Sequence, residues 1–313
     1  MAGMLGASSF RARIGAVVVG AVALASACVP GPTGPEGGVP QNPPFGVNGA
    51  VQEPGAEGGE VWVADIFGAQ LIRFDAETGT IAERYPTGSI CAVDDVAVMA
   101  DDSLVATCPS TGLVVRVPRG GTPEVLARPG KGVNPIVAEP GGTSVLVGFG
   151  TEDHDELIRI HLDGTTEVVA DDLPTLNGFG FGPDGLLYVP TGGAGGLLGT
   201  GGLATIDPAT GAFTDIPLIF SEAGKTGLDF ACGVDVGADG TAYVAQCANP
   251  SAYAVDPSTG EATLVGRSPL PIADNILVLD DGRVILSGFF GGQAAVFTPA
   301  GGGWTPSVLT IGS

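Results

Sequence analysis

Residues 177–189 read Asn177-Gly178-Phe179-Gly180-Phe181-Gly182-Pro183-Asp184-Gly185-Leu186-Leu187-Tyr188-Val189. Pro183-Asp184-Gly185 splits the stretch into two short apolar runs. An Asp-Gly pair between such runs marks a tight turn, because its residues tolerate the positive φ that chain reversal needs. The stretch therefore predicts a strand, a turn and a second strand. The same grammar recurs. Aligned on the turn, Asp95 (DVAVMADDSLVAT), Asn134 (NPIVAEPGGTSVLV), Cys232 (CGVDVGADGTAYVA) and Asp274 (DNILVLDDGRVIL) take the place of Asn177. Asn48 joins them, with a short insertion after Pro54.

A third strand follows each pair: LIRFDAETG from Leu71, LVVRVPRGG from Leu113, LIRIHLDG from Leu157, LATIDPATG from Leu203, YAVDPSTG from Tyr253 and AVFTPAGG from Ala295. A final strand completes the unit. Six units recur about every 40–55 residues, too long for a parallel β-helix and without the apolar stripe of a helical solenoid. Four short strands per unit cannot bury both faces of their sheet alone, so the units must pack on one another. The expected fold is all-β, a six-bladed β-propeller of four-stranded antiparallel blades over 48–313.

Composition agrees once this period is seen. The 53 Gly and 25 Pro make up about a quarter of the chain, a share that without a period would suggest disorder. Against disorder, 44% of residues are hydrophobic, enough to build a core. Formal charge is −22, and the only lysines are Lys131 and Lys225. A surface this acidic repels phosphate backbones and anionic headgroups, which excludes nucleic acid and polybasic membrane docking.

The N-terminus reads separately. Arg11 and Arg13 precede the apolar run 14–25, and Ala25-Ser26-Ala27 supplies small residues for cleavage. Residues 1–27 are the expected signal peptide. Leu24-Ala25-Ser26-Ala27-Cys28 resembles a bacterial lipobox, with the leucine four residues before the cysteine. The resemblance implies lipidation at Cys28, with ordinary secretion as the alternative. Residues 28–47 read as a Pro-rich tether between lipid and propeller. The expected location is extracytoplasmic, with the membrane reached only through the lipid and the propeller itself a monomer.

Five cysteines in an exported chain leave an odd one, and lipidation of Cys28 gives it a use. The remaining four fall into two local pairs. Cys91 and Cys232 sit at the start of strand one in blades two and five; Cys108 and Cys247 follow strand two of those blades. A hairpin brings these positions together, so Cys91–Cys108 and Cys232–Cys247 bridges are expected.

The first residue of each inner strand opens onto one face of the channel. That predicts a ring of Asn48, Asp95, Asn134, Asn177, Cys232 and Asp274, with Asp94 and Asn275 alongside. Oxygens converging on an axis suit a hard cation such as Ca2+. The alternative is local, because Asn and Asp side chains also satisfy backbone amides at strand starts. The longest loops, 191–203 and 220–229, leave on the same face, as does Thr151–Glu156 with His154 among four acids.

The Asn-Gly strand, the Pro-Asp-Gly turn and the following aromatic-valine strand resemble the regucalcin/gluconolactonase (senescence marker protein) propellers, and more distantly paraoxonases and NHL-repeat propellers. In lactonases of that family a divalent cation is held by a first-blade Glu, an Asn and an Asp. Asn177 matches the Asn, whereas Asn48 stands for the Glu and Cys232 for the Asp. Asp274-Asn275 resembles an Asp-Asn pair that paraoxonases place on calcium, which makes Asp274 the candidate catalytic residue. Two functions follow as expectations. One is a binding propeller that takes a small molecule, polymer or protein on its channel face with a central Ca2+. The other is a calcium-dependent lactone or ester hydrolase with a rearranged site.

Overall fold

A computed structural model describes residues 44–55, 59–151, 153–192 and 200–312. The leader, Cys28 and most of the tether lie outside the described residues, as does most of the Gly-rich run after Thr191. Among the described residues there are strands and no helix.

Six sheets form, each built on four consecutive strands paired in sequence order. In blade 1 the order is Val47–Gln52, Glu60–Asp65, Gln70–Asp75 and Ile81–Pro86, all antiparallel. The inner strands of blades 2 to 6 are Val96–Val98, Val133–Ala138, Gly180–Phe181, Ala231–Val236 and Ala273–Val278. Inner strands pack beside each other from blade 1 to blade 3 and from blade 4 to blade 6, and blade 6 returns to blade 1. Blades 3 and 4 meet through Leu146 and Leu157 with Leu187 and Leu203. This is a six-bladed β-propeller, as the repeat predicts. The long connection between blades 4 and 5 adds two edge strands. Leu228–Asp229 pairs with Thr200–Gly201, and Ile219–Phe220 runs parallel to Glu261–Ala262.

The hairpins form for the reason read in the sequence. Gly185, Gly240 and Gly282 have φ of 80°, 85° and 84°. The preceding Asp184, Asp239 and Asp281 each accept the N–H two residues on, at 3.1, 3.0 and 3.0 Å. Each aspartate side chain thus stands in for a backbone acceptor across the turn.

Between blades, the apolar faces interlock. Among the described residues no strand crosses from blade 6 to complete the sheet of blade 1 or the reverse, so side-chain packing and loop hydrogen bonds close this seam. Val47, Val61, Ile72 and Phe74 pack there with Leu277, Leu279, Ile285, Val296 and Ile311. Polar staples flank this core: Gly312 N–H donates to the Gly79 carbonyl at 2.8 Å, Asp280 N–H to Gln52 Oε1 at 2.9 Å, and Arg283 Nη1 to the Ala76 carbonyl at 3.1 Å.

Both expected disulfides are present, Cys91–Cys108 and Cys232–Cys247, with Cα atoms 5.9 and 6.0 Å apart. The second ties the start of an inner strand, at Cys232, to the residue after the neighbouring strand. The first ties the connection leading into the blade 2 inner strand, at Cys91, to the end of the neighbouring strand, at Cys108.

Candidate functional site

The inner strands do not run straight to the channel mouth. Pairing with the second strand shifts between Val47 and Ala50, between Val133 and Ile136, between Ala231 and Gly233, and between Ala273 and Ile276. Four blades therefore bulge at the same place. A bulge releases residues from the ladder and re-aims their side chains, and here it releases Asn48, Asn134, Cys232 and Asp274.

Blade 2 departs from the sequence alignment by one residue. Val96 pairs with Ala106 as Val234 pairs with Val244, which places Asp94, not Asp95, at the ring position of Cys232 and Asn48. Asp95 instead matches Asn275. The Asp95 and Asn275 backbone amides donate to Thr107 Oγ1 at 3.2 Å and Ser287 Oγ at 2.9 Å. Their Oδ1 atoms accept the next N–H, from Val96 at 3.0 Å and Ile276 at 2.8 Å. The offset arises because the blade 2 turn is Asp101-Asp102 and not Asp102-Ser103. Asp102 has a φ of 64° in the place of Gly185, and Asp101 accepts Ser103 N–H at 3.1 Å as Asp184 accepts Leu186 N–H.

Asp95 is committed on both oxygens, since its Oδ2 accepts Ile136 N–H of blade 3 at 3.3 Å. It is an inter-blade staple that fills the space left by Gly49, whose absent Cβ would lie 1.6 Å from Asp95 Oδ1. Asp235, which the sequence reading did not single out, does the same work between blades 5 and 6. It accepts Val236 N–H at 2.9 Å and Val278 N–H at 2.7 Å. The signal available in the sequence was an acidic residue inside an otherwise apolar inner strand.

Asn177 Oδ1 accepts Gly178 N–H at 3.0 Å, the local role weighed for such residues. Asn134 contributes its carbonyl to Thr107 Oγ1 at 2.6 Å, while its side chain lies under Gly150. Asn275 Oδ1 occupies space that a Cβ on Gly178 would fill, 2.5 Å away.

The remaining ring residues make a different kind of group. Asp274, Asn48 and Asp94 come from the equivalent position of blades 6, 1 and 2. Asn48 Nδ2 donates to Asp94 Oδ1, and Asn48 is fully buried. Asn48 Oδ1 is buried without a hydrogen-bond partner. An unpaired buried acceptor costs about 1–3 kcal/mol. Burial pushes Asp94 up to about 6 against the pull of Asn48. Burial, then the Asp94 charge, pushes Asp95 up to about 8. Asp274 is raised well above the usual carboxylate range by burial and by the charges of Asp94 and Asp95. The charges that act on these three groups are carboxylates. The arrangement concentrates negative charge beside an unsatisfied oxygen, which is an environment for a cation.

Donors for a metal are few. Among the described residues no three His, Cys, Asp or Glu side chains surround a common metal position. Oxygens left free for a cation are those of Asp274, the second oxygen of Asp94 and Asn48 Oδ1. The lactonase set is not reproduced, because Asn48 replaces its Glu and Cys232 is bonded to Cys247.

The surrounding loops supply two further features. His154 stacks on Phe149, with ring centroids 4.2 Å apart, and its Nδ1 lies 3.4 Å from Glu156 Oε2. At the seam of blades 6 and 1, Phe45, Phe67, Phe289 and Phe290 gather into one aromatic cluster.

The fold is shared with solved propellers of known type. No protein-family model and no curated sequence matches the chain. Virginiamycin B lyase from Staphylococcus aureus is similar in structure, with a TM-score of 0.61 and 16% identity over 87% of this chain and 86% of that one. A gluconolactonase from Xanthomonas campestris gives 0.60 and 16% over 78% and 84%. Regucalcin from Agrobacterium tumefaciens, described as a calcium-binding protein, gives 0.57 and 15% over 79% and 83%. The chain therefore has the gluconolactonase- and regucalcin-like six-bladed architecture.

Proposed function

We propose that this chain is an exported, membrane-tethered binding propeller that receives a cation at Asp274, Asn48 and Asp94 and presents the ring face around it to a small molecule, polymer or protein. The observation that carries this reading is the buried, unpaired Asn48 Oδ1 beside two carboxylates that lack a basic partner. Among metals, Ca2+ is the one this oxygen-only donor set suits, with water or ligand oxygens completing the six to eight that it takes. Export and anchoring rest on the leader 1–27, Cys28 and the Pro-rich tether, and the free propeller is taken to be a monomer. Titration of the purified chain with Ca2+ and other cations tests the site. Binding that disappears in both Asp274→Asn and Asp94→Asn is the expected result. Unaltered binding in those variants places the site elsewhere. Mass spectrometry of the mature N-terminus tests the anchor, which requires a lipid-modified Cys28.

A second reading is a calcium-dependent lactone or ester hydrolase, favoured by the likeness to gluconolactonase and regucalcin structures. Asp274 would then be the candidate base. The occupied Cys232 position weighs against it, since the disulfide removes the side chain where the lactonases place their Asp. A panel of lactones and aryl esters, with Asn177→Ala and Asp274→Ala as controls, separates the readings. Turnover lost in Asp274→Ala favours the hydrolase; no turnover with retained cation binding favours the binding protein.

A further inference from the structure

The aromatic cluster grows from the same strand ends as the cation position. Val47, the residue before Asn48, pairs with Asp65, and Phe67 follows two residues later. Ala273, the residue before Asp274, pairs with Gly288, and Phe289 and Phe290 come next. Asp65 fixes one side of this arrangement. Its Oδ1 accepts the N–H groups of Gly46 and Gly68, each at 3.1 Å, and Gln70 Nε2 donates to its Oδ2 at 2.8 Å. The Phe67 loop is therefore held beside the chain that carries Asn48.

Phe67 and Phe290 are stacked, 5.9 Å apart with planes 14° from parallel. Phe289 meets both edge-on, at 5.7 and 4.8 Å. Phe289 is only 8% exposed, whereas Phe45 adds a fourth ring that is 55% exposed. Phe67 and Phe290 are half-buried. The result is an apolar wall open to solvent at the edge of an acidic mouth. Such a pairing of apolar surface with negative charge is complementary to a molecule with an apolar body and one positive group.

The donor count points the same way. Asp95 has no oxygen free, and among the described residues no three acidic side chains surround a common position. The oxygens that remain suit a single positive group that can also donate hydrogen bonds to Asn48 Oδ1 better than they suit a bare divalent ion.

We infer that the ligand of the ring face is an organic monocation, an ammonium group seated among Asp274, Asn48 and Asp94 with an aromatic or branched aliphatic body on the wall formed by Phe45, Phe67 and Phe290. This rests on the cation reading above and names the class of cation. Isothermal titration of the purified full chain with phenethylammonium, tetramethylammonium, benzyl alcohol and Ca2+ tests it. Phenethylammonium binds most tightly, tetramethylammonium about tenfold more weakly, and benzyl alcohol without measurable heat. Asp274→Asn weakens both ammonium ions by about tenfold or more. Phe290→Ala, or Phe45→Ala where the exposed ring makes misfolding less of a concern, weakens phenethylammonium selectively and leaves tetramethylammonium unchanged. Binding of Ca2+ without either ammonium overturns the inference while the cation reading stands. Equal binding of benzyl alcohol also overturns it, because the wall would then act without the charge. If neither Ca2+ nor an ammonium ion binds, both readings fall.

Discussion

Asn48 donates its amide to Asp94 and so turns its own carbonyl oxygen into a buried acceptor with nothing to accept. The two residues hold the same position in blades 1 and 2, which makes their pairing a product of blade-on-blade packing. Replacing the amide with a carboxylate removes the donor and adds a charge. Asn48→Asp is expected to destabilise the cation-free protein at pH 8 by about 3 kcal/mol or more, the usual cost of an uncompensated buried charge. That corresponds to a Tm lower by on the order of 10 °C, partly restored by Ca2+. An unchanged melting curve without cation would mean that the Asn48 site is wetter than it is drawn here.

The same carboxylates set the response to pH. Asp94 and Asp235 are pushed up to about 6 by burial, and Asp95 to about 8 by burial and by Asp94. In the unfolded chain all would titrate near 4. Between these limits the folded state holds protons that the unfolded chain has released, so stability falls as pH rises from about 4 through 8. Surface carboxylates such as Asp101, held down by Ser103 and Arg116, act in the opposite sense and lose their contribution below about pH 4. Melting temperatures in chelated buffer should therefore decline from pH 5 to pH 9. Asp95→Asn should flatten the decline, and a Tm that climbs over that range contradicts the assignment.

The disulfides close loops with sequence separations of 17 and 15 residues. Each should contribute about 3 kcal/mol in the chain-entropy account. Paired Cys→Ala replacements, one bridge at a time, should each lower the midpoint of denaturant unfolding. If the Cys232–Cys247 pair can be removed without loss, its value lies in shaping the ring and not in stability.

Asp65 should matter more than its place at a strand end suggests. Asp65→Ala leaves the Gly46 and Gly68 amides and the Gln70 side chain without their acceptor. An expected cost of about 2–3 kcal/mol follows from buried hydrogen bonds to a charged group. Among the described residues no strand crosses the seam between blades 6 and 1, and Asp65 lies beside it, so hydrogen exchange should accelerate there first. Uniform acceleration across all blades would show that the seam has no separate opening.

Much of this architecture was legible beforehand. The Asp-Gly turns at 184–185, 239–240 and 281–282 and the repeated third strands carry the blade count, because local backbone chemistry decides where a short hairpin reverses. The cysteine pairs were legible once the hairpin was placed, since strand ends meet at a known distance. The candidate site was legible only in part. Asn48 and Asp274 were found from their place at strand starts. Asp94 rather than Asp95 holds the ring position, because Asp102 takes the positive-φ place that glycine takes in the other turns and an Asp-Asp pair does not mark which of its residues does so. Asp235 escaped because a lone acid in a strand does not announce which neighbouring backbone it will bind.

Sequence by itself thus determined what depends on neighbours along the chain: turns, strand periodicity, repeat number and the two bridges. Tertiary structure decided what depends on neighbours in space. It separated the ring aspartates into a staple on backbone amides and carboxylates left facing the channel, orphaned the Asn48 oxygen, and brought phenylalanines from residues 45, 67, 289 and 290 to one wall. These are distances between blades: the staple and the orphaned oxygen take theirs where consecutive repeats pack, and the aromatic wall only where the first and sixth repeats meet.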